Sequence, residues 1–360
     1  IFVTQFKGGV GRYFAELIHT FHQNPDIGVS AQIHAPFIVN EMELSSKVGK
    51  RIPHPFPSPI TRRFTPSIAN SLCEVIPSRV QGVQIRHYTA YSLNYWKPEA
   101  DVANVCTIYD MIPEKFPEYF PNGNPHQDKE FFARNCDLII CISETTRNDL
   151  LEVYGPLSTP TIVVPLGVGP SFTSLPKSPE RPAWLPDGDF AIFVGNRSKY
   201  KDFRTVLEGL DAATVGPKHL VCVGGGRLTK HDKEALGTIS SELKVSFFNL
   251  GDEHLAHAYQ WASFYVSASR YEGFGLPTLE ALAQGCQVIL SACPAHLEVA
   301  GEIGNFFPCG DGKALADTID RVATHQQAVA SHESEIGKGI PQRGLIRMAK
   351  DTAHAYSCVL

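Results

Sequence analysis

The sequence predicts an α/β fold of two doubly wound domains, each built on a parallel sheet. Short apolar segments typical of buried strands alternate with segments of helical periodicity along the whole chain. The alternation stops once, between 170 and 188, where proline stands at positions 170, 176, 179, 182 and 186, and then starts again. A chain of 360 residues also exceeds one ordinary hydrophobic core and suits two domains of roughly 150–180 residues each.

The composition is that of an ordinary globular protein and excludes several classes. Hydrophobic residues make up 43% and charged residues 19% of the chain, which rules out disorder, collagen and coiled coil. A net charge of −5 gives no general attraction for nucleic acid. No apolar run approaches the roughly 18 residues of a membrane span, and nothing after Ile1 resembles a signal peptide. Nine cysteines without a Cys-x-x-Cys pair favour free thiols in the cytoplasm.

Strands are predicted on both sides of the proline-rich segment. Those before it are 1–5, 29–34, 84–87, 102–109, 137–143 and 161–165. Those after it are 190–195, 219–224, 245–250, 264–268 and 287–291. The predicted organisation is an N-terminal domain over 1–174, a linker over 175–188, a C-terminal domain over 189–340 and a returning helix within 341–360.

Three helices carry clear sequence signals. An apolar stripe from Val10 to Phe21 predicts a helix after the first strand. Ser143 and Gly155 mark the start and the end of a second helix, as N-cap and as the residue beyond its C-terminus. Apolar positions at helical spacing between Leu345 and Tyr356 predict the last helix, which packs back across the linker.

The most informative segment is 271–285, with the sequence Y-E-G-F-G-L-P-T-L-E-A-L-A-Q-G. Pro277 opens a helix here and Gly285 closes it, so the free N–H groups of the first turn form an anion site suited to a diphosphate. Glu272 on the loop and Glu280 on the helix are expected to face one pocket, where carboxylates suit a ribose diol and a sugar. The alternative makes them a surface residue and a partner of the helix dipole.

A second segment, G-N-R-S-K-Y-K-D-F at 195–203, follows the first strand of the second domain. Arg197 and Lys201 are expected beside the anion site, where they would neutralise a leaving diphosphate, and Lys199 is a rival for the lysine role. Asp202 is the predicted N-cap of the next helix. The alternative is a set of solvated cations on a loop.

A third segment, Gly8-Gly9-Val10-Gly11, lies between the first strand and the first helix. It departs from the dinucleotide pattern G-x-G-x-x-G, and no acidic residue ends the next strand to bind a ribose. These features argue against a nicotinamide cofactor. The glycines also suit close packing of a helix on a strand.

Together these segments resemble the retaining glycosyltransferases of family 4, which have the GT-B fold. The resemblance runs from Gly8-Gly9-Val10-Gly11-Arg12-Tyr13 to the last helix, and its strongest part is the pair Glu272 and Glu280. Supporting segments are Y-D-M-I-P-E at 109–114, S-E-T at 143–145 and V-P-L-G-V at 164–168. In 294–298 the similarity is lower, because Ala-His-Leu separates the proline from the glutamate. The implied architecture is two Rossmann-like domains facing across a cleft.

The resemblance implies transfer of a sugar from a nucleotide diphosphate donor, with retention of configuration and without a metal or other cofactor. Glu272 would contact the donor sugar, Glu280 the ribose hydroxyls, and Arg197 with Lys201 the diphosphate. Backbone N–H groups would assist, although Pro277 has none. The further positions implied in donor binding are Gly9, Phe274, Gly275, Leu276, Thr278, Leu250 and Gly251.

One departure from the family concerns the position where many relatives have a histidine after the fourth strand. This chain has Tyr109 and Asp110 there, and one of them would replace the histidine in orienting the donor. Alternatively Asp110 caps the loop that Pro113 begins. His87, at the end of the preceding strand, is either an acceptor contact or a hydrogen-bonded structural histidine.

The resemblance leads to a retaining hexosyltransferase that builds a surface glycan on a glycan or lipid-diphosphate acceptor. Its donor is a GDP- or UDP-sugar, with GDP-mannose first because 109–114 resembles mannosyltransferase-like relatives. Two other classes stay open, a catalytically silent nucleotide-sugar-binding protein and another GT-B enzyme such as an epimerase or a phosphorylase. Between 45 and 90 the chain has seven basic residues, among them Arg62 and Arg63, against Glu74 alone. This excess suggests peripheral contact with an anionic membrane face, and the alternative is a solvated cationic surface.

Overall fold

The computed structural model describes residues 9–31, 82–173, 180–197, 199–240, 242–328 and 344–360. The chain divides into two compact units, the first comprising Ile1–Gly167 with Leu345–Leu360 and the second Val168–Gly344. The predicted strand 1–5, most of the predicted strand 29–34, Gly8 and most of the basic segment lie outside the described residues. Residues 29–31 are described and belong to no strand.

The strands of the described residues form two parallel sheets. In the first unit the order is β1–β2–β3–β4, with β1 at Ile85–Tyr88, β2 at Ala103–Ile108, β3 at Leu138–Cys141 and β4 at Thr161–Val163. In the second unit the order is β10–β9–β8–β5–β6–β7, with β5 at Ala191–Val194, β6 at His219–Val223, β7 at Lys244–Phe248, β8 at Phe264–Ser267, β9 at Val288–Ser291 and β10 at Asn305–Phe307. Strand β10 was not predicted, because three residues are too few for a periodic signal.

The helices alternate with the strands as the α/β prediction requires. They are α1 (Gly9–Gln23), α2 (Ile112–Lys115), α3 (Lys129–Asn135), α4 (Glu144–Tyr154), α5 (Phe203–Ala212), α6 (Lys230–Leu236), α7 (Asp252–Trp261), α8 (Leu276–Ala283), α9 (Pro294–Ala300), α10 (Gly312–Ala328) and α11 (Leu345–Ser357). The predicted cap of α4 is confirmed, since Ser143 accepts a hydrogen bond from the Thr146 amide. The predicted last helix is confirmed as α11, which packs on α1 inside the first unit.

Each unit has its own core. In the second, Phe193, Val266 and Ile289 on the sheet pack with residues of α5 and α10. Helices α5 and α10 approach closely at Gly209, where a Cβ would lie 2.4 Å from Cγ of Leu315. This close contact fixes α5, and α5 in turn fixes the end of the loop that precedes it.

The strand order of the second sheet reverses between two neighbouring central strands. From β5 the chain moves outward through β6 to β7, then returns to β8 beside β5 and moves outward again through β9 to β10. Doubly wound sheets bind ligands at the carboxyl ends of the strands where this reversal occurs. The loops after β5 and β8 are the two segments in which the sequence placed its candidate charged residues. The fold therefore brings these two loops together.

Candidate active site

A glycine with positive φ lies at the start of one loop of the site and another at the end of the second loop. Gly195 follows β5 with φ 127°, and Gly275 is the N-cap of α8 with φ 91°. Only glycine adopts such angles at low cost, so both loops depend on their glycines. Pro277 lies in the first turn of α8, as predicted. Phe274 and Thr278 are buried, and Leu276 is half-buried between them.

The centre of the site is a salt bridge between Lys201 and Glu272. The Nζ of Lys201 lies 2.5 Å from Oε1 of Glu272, and the two side chains are only 12% and 11% exposed. Ser269 donates a second hydrogen bond of 2.6 Å to the same oxygen. No other hydrogen bond to the Glu272 carboxylate occurs within the described ranges, so Oε2 is available to a ligand.

Each group of this pair stabilises the charged form of the other. Burial alone would raise the pKa of Glu272, but the positive charge of Lys201 and the hydrogen bonds from Lys201 and Ser269 outweigh it, and the pKa falls below its ordinary value. Burial lowers the pKa of Lys201, but the Glu272 charge, its hydrogen bond and the nearby Tyr265 and Tyr200 together outweigh burial, and the pKa rises above its ordinary value. Both groups are therefore charged at neutral pH. Lys201 is thus paired with Glu272, while the side chain of its predicted rival, Lys199, lies outside the described part of the structure.

The amide groups at the start of α8 differ in whether they already donate a hydrogen bond. The N–H of Thr278 donates to the Gly275 carbonyl at 2.9 Å, a partner other than the predicted diphosphate. The amides of Gly275 and Leu276 donate to no acceptor within the described part of the chain. Glu280 lies in the second turn of the same helix and is 2% exposed.

The structure gives Arg197 different partners from those predicted. Its guanidinium donates to the carbonyls of Gly224, Gly225 and Gly226 at 3.0, 3.1 and 3.0 Å. Its Nε lies 3.3 Å from a carboxylate oxygen of Asp232, and its side chain is 2% exposed. A Cβ at residue 225 would lie 2.5 Å from Nη1, so glycine is required for this packing. Arg197 thus holds the loop after β6 and does not join the Lys201–Glu272 pair.

Asp202 stands at the predicted N-cap position of α5 but does not cap it. Its side chain accepts no hydrogen bond from the helix and instead accepts one from Nε of Arg270 at 3.0 Å. Its φ of 45° lies in the left-handed region, which prevents the usual capping geometry. The Asp202–Arg270 pair ties the loop after β5 to the loop after β8.

The predicted residues of the first unit have structural partners. Both ring nitrogens of His87 are occupied, by the Tyr356 hydroxyl at 2.7 Å and the Thr107 hydroxyl at 2.8 Å, and burial lowers its pKa to about 3. These two bonds agree with the structural alternative for His87, and an acceptor contact at this residue stays a prediction. The Asp110 carboxylate accepts from the Ile112 amide at 3.0 Å, which is the capping alternative. The Tyr109 hydroxyl is buried, and burial raises its pKa.

A buried network that the sequence did not reveal supports the loop around Asp110. Lys129 is 1% exposed, and its Nζ donates to the Asp110 carbonyl at 2.9 Å and to the Glu114 carboxylate at 2.8 Å. Asn124 and Tyr154 donate further hydrogen bonds to Glu114 at 2.9 and 3.1 Å. A lone lysine in an amphipathic helix carries no signal of such a role.

The remaining predicted donor-binding residues are Gly9, Leu250 and Gly251. Gly9 is the first residue of α1. Leu250 and Gly251 follow β7, and Gly251 is the exposed N-cap of α7. Across the described residues there is no group of three or more His, Cys, Asp and Glu side chains that could hold a metal ion. No helix within the same residues is long and apolar enough to cross a membrane.

Comparison with protein families covers both units. The family described as Glycosyltransferase Family 4 matches residues 7–172, and the family described as Glycosyl transferases group 1 matches residues 189–325. The chain belongs to the group 1 glycosyltransferases of family 4. The sequence resemblance is thereby confirmed on both sides of the proline-rich segment.

Individual proteins similar to this glycosyltransferase include the O-antigen chain mannosyltransferase B of Escherichia coli, with 23% identity over 86% of each chain. A GDP-mannose:cellobiosyl-diphosphopolyprenol alpha-mannosyltransferase of Xanthomonas campestris is 28% identical over 39% of each chain. Among solved structures, Anabaena HepE in complex with UDP-glucose has a TM-score of 0.72 at 14% identity, over 99% of this chain and 98% of that one. The fold of this glycosyltransferase is GT-B, as predicted.

Proposed function

We propose that this glycosyltransferase moves mannose from GDP-mannose, with retention of the anomeric configuration and without a metal ion, to a glycan or lipid-linked acceptor in surface polysaccharide synthesis. The observation that carries the proposal is the Lys201–Glu272 salt bridge beside the N-terminus of α8, where the strand order reverses. The names of the Escherichia coli and Xanthomonas relatives support mannose as the sugar and the glycan class of the acceptor.

The diphosphate is the group that this site accommodates best. The free amides of Gly275 and Leu276 and the dipole of α8 attract an anion, and Lys201 adds a fixed positive charge. When the bond from the anomeric carbon to the diphosphate breaks, negative charge grows on the leaving oxygen. A buried cation that needs no rearrangement stabilises that charge strongly, because little water screens it.

Glu272 is placed to contact the sugar. Its Oε1 is held by Lys201 and Ser269, so the carboxylate cannot rotate freely. Its Oε2 then accepts hydrogen bonds from a ligand hydroxyl, and its negative charge favours the positive charge that develops at the anomeric carbon. Glu280, on α8, is the proposed partner of the ribose hydroxyls.

Nucleotide preference and metal dependence test this proposal together. We expect GDP to raise the melting temperature more than UDP or ADP, with a stabilisation of about 2.7 kcal/mol at a ligand concentration of 100 times Kd. Excess chelator should leave both this stabilisation and the transfer from GDP-mannose unchanged. Nuclear magnetic resonance of the product should show an α-linked mannose. Strict dependence on manganese or magnesium, or a product of inverted configuration, would contradict the mechanism.

The proposed acceptor places the protein at an anionic membrane face. Most basic residues of 45–90 lie outside the described residues, and Arg86 is already paired with Glu99 at 2.6 Å. The exchange of Arg62 and Arg63 for glutamate should therefore weaken binding to anionic vesicles, at about 1 kcal/mol for each charge, and more so at low salt. Co-sedimentation with anionic and neutral vesicles measures this. Equal binding to both kinds of vesicle would refute a membrane contact that depends on anionic lipid.

A further inference from the structure

His296 on α9 has a buried nitrogen, Nε2, without a hydrogen-bond partner among the described residues. Its side chain is wholly buried, and no group of the described residues forms a hydrogen bond with Nε2. Its Nδ1 lies 2.9 Å from the Ser291 carbonyl, which can only accept, so Nδ1 carries the proton. Nε2 of the neutral ring is therefore a bare acceptor. A buried acceptor without a donor is unfavourable, which indicates that its partner arrives with a ligand.

The ring lies against the start of α8. A Cβ at residue 275 would lie 3.5 Å from Cδ2 of His296, the ring atom bonded to Nε2. Because residue 275 is glycine, its own side chain takes no space beside this edge of the buried imidazole. The N-terminal turn of α8 thus presents two free amides together with one imidazole nitrogen.

The imidazole and the Glu272 carboxylate belong to one hydrogen-bonded frame. The Ser291 hydroxyl donates to the Ser269 carbonyl at 2.5 Å, and the Ser269 hydroxyl donates to Glu272 at 2.6 Å. Burial lowers the pKa of His296; the Glu272 charge and the bond to Ser291 oppose this in part, Lys201 adds to it, and the pKa stays below its ordinary value. The ring is therefore neutral when it faces a ligand.

A neutral acceptor discriminates between the parts of a nucleotide sugar. Phosphate oxygens are themselves acceptors and gain nothing from a bare nitrogen, whereas a hydroxyl donates to it. We propose that Nε2 of His296 accepts a hydrogen bond from one hydroxyl of the donor sugar and thereby helps select that sugar. This proposal rests on the proposed function and adds a specificity-determining residue to it.

Two variants of similar size test the role of Nε2 separately from that of the rest of the imidazole ring. His296→Asn keeps a donor for the Ser291 carbonyl but removes the acceptor at the Nε2 position, whereas the longer side chain of His296→Gln brings an amide oxygen there. The probes are GDP-mannose and its 2-, 3-, 4- and 6-deoxy derivatives. We expect His296→Asn to lower kcat/KM for GDP-mannose by about tenfold, His296→Gln to restore most of it, and the Kd of GDP to stay unchanged in both.

The deoxy donors provide the decisive comparison. With one of the deoxy donors, kcat/KM of the wild-type protein should fall by the same factor as kcat/KM of His296→Asn falls with GDP-mannose. In His296→Asn, that deoxy donor should then give no lower kcat/KM than GDP-mannose does. If the loss of kcat/KM from His296→Asn and the loss from removing a hydroxyl multiply for all four deoxy donors, while GDP-mannose is still turned over, the proposal for His296 is wrong and the proposed function stands. If the wild-type protein binds GDP but neither binds nor consumes GDP-mannose, both are wrong.

Discussion

Replacing Glu272 with glutamine should lower kcat for sugar transfer by about 10²–10³ while leaving GDP binding as tight as in the wild type or tighter. In the proposed function the carboxylate contacts the sugar through Oε2, and Lys201 stabilises its ionised form. Glutamine keeps the shape and removes the charge, so transfer suffers. Because Lys201 is then no longer shared with a carboxylate, its charge is fully available to the diphosphate, and GDP affinity does not fall.

Steady-state kinetics and calorimetry with GDP measure these two effects separately. The matched control is Glu208→Gln, which removes the carboxylate of an exposed ion pair with Arg204 on α5 at 2.7 Å. Exposed pairs contribute less than about 1 kcal/mol, so this variant should resemble the wild type in both assays. Wild-type turnover in Glu272→Gln would remove Glu272 from the reaction.

Replacing Lys201 with methionine should have the opposite effect on binding and reduce GDP affinity together with transfer. The variant removes the fixed cation of the diphosphate site and leaves a buried carboxylate unpaired. Loss of one partner of a buried pair costs about 3 kcal/mol of unfolding free energy. The control is Arg204→Met on α5, which breaks the same exposed pair as Glu208→Gln.

The pH dependence of the free energy of unfolding should differ between Glu272 paired with Lys201 and Glu272 without this partner. In the wild type its pKa lies below the ordinary value of 4.5, so the pair stabilises the fold above that pH and the stabilisation is lost as the pH falls through the lower, folded-state pKa. In Lys201→Met the opposing charge is gone and burial raises the pKa of Glu272. The stability of the variant should therefore decrease as the pH rises above about 4.5. Urea unfolding between acid and neutral pH measures the sign, and equal slopes in both proteins would contradict the assigned pairing.

Local signals were sufficient for the secondary structure around the site. Pro277 predicted the start of α8 and Gly285 its end, and apolar runs predicted β5 and β8, because these signals act over a few neighbouring residues. The sequence also predicted that the loops after β5 and β8 lie close together, since adjacent parallel strands end at the same edge of a sheet. Strand β10 was missed because it is short.

Side-chain partners could not be predicted in the same way. Arg197 and Lys201 occupy one loop and carry the same charge, yet one binds the glycine carbonyls after β6 and the other binds Glu272. His87 ends a strand, as a site residue would, but a hydroxyl from α11 takes one of its nitrogens. In each case the deciding group lies far away in the sequence, and no local pattern encodes its position.

The sequence by itself determined the fold class, the family and the segment that contains Glu272 and Glu280, because periodicity, helix-start residues and spaced glycines are properties of neighbouring residues. Only the tertiary structure decided which charged side chains meet. The Lys201–Glu272 pair, the enclosed Arg197 and the unpartnered nitrogen of His296 depend on strands that are adjacent in space and distant in the chain. Burial then fixes their charge states, since a group removed from water keeps its charge only beside a partner.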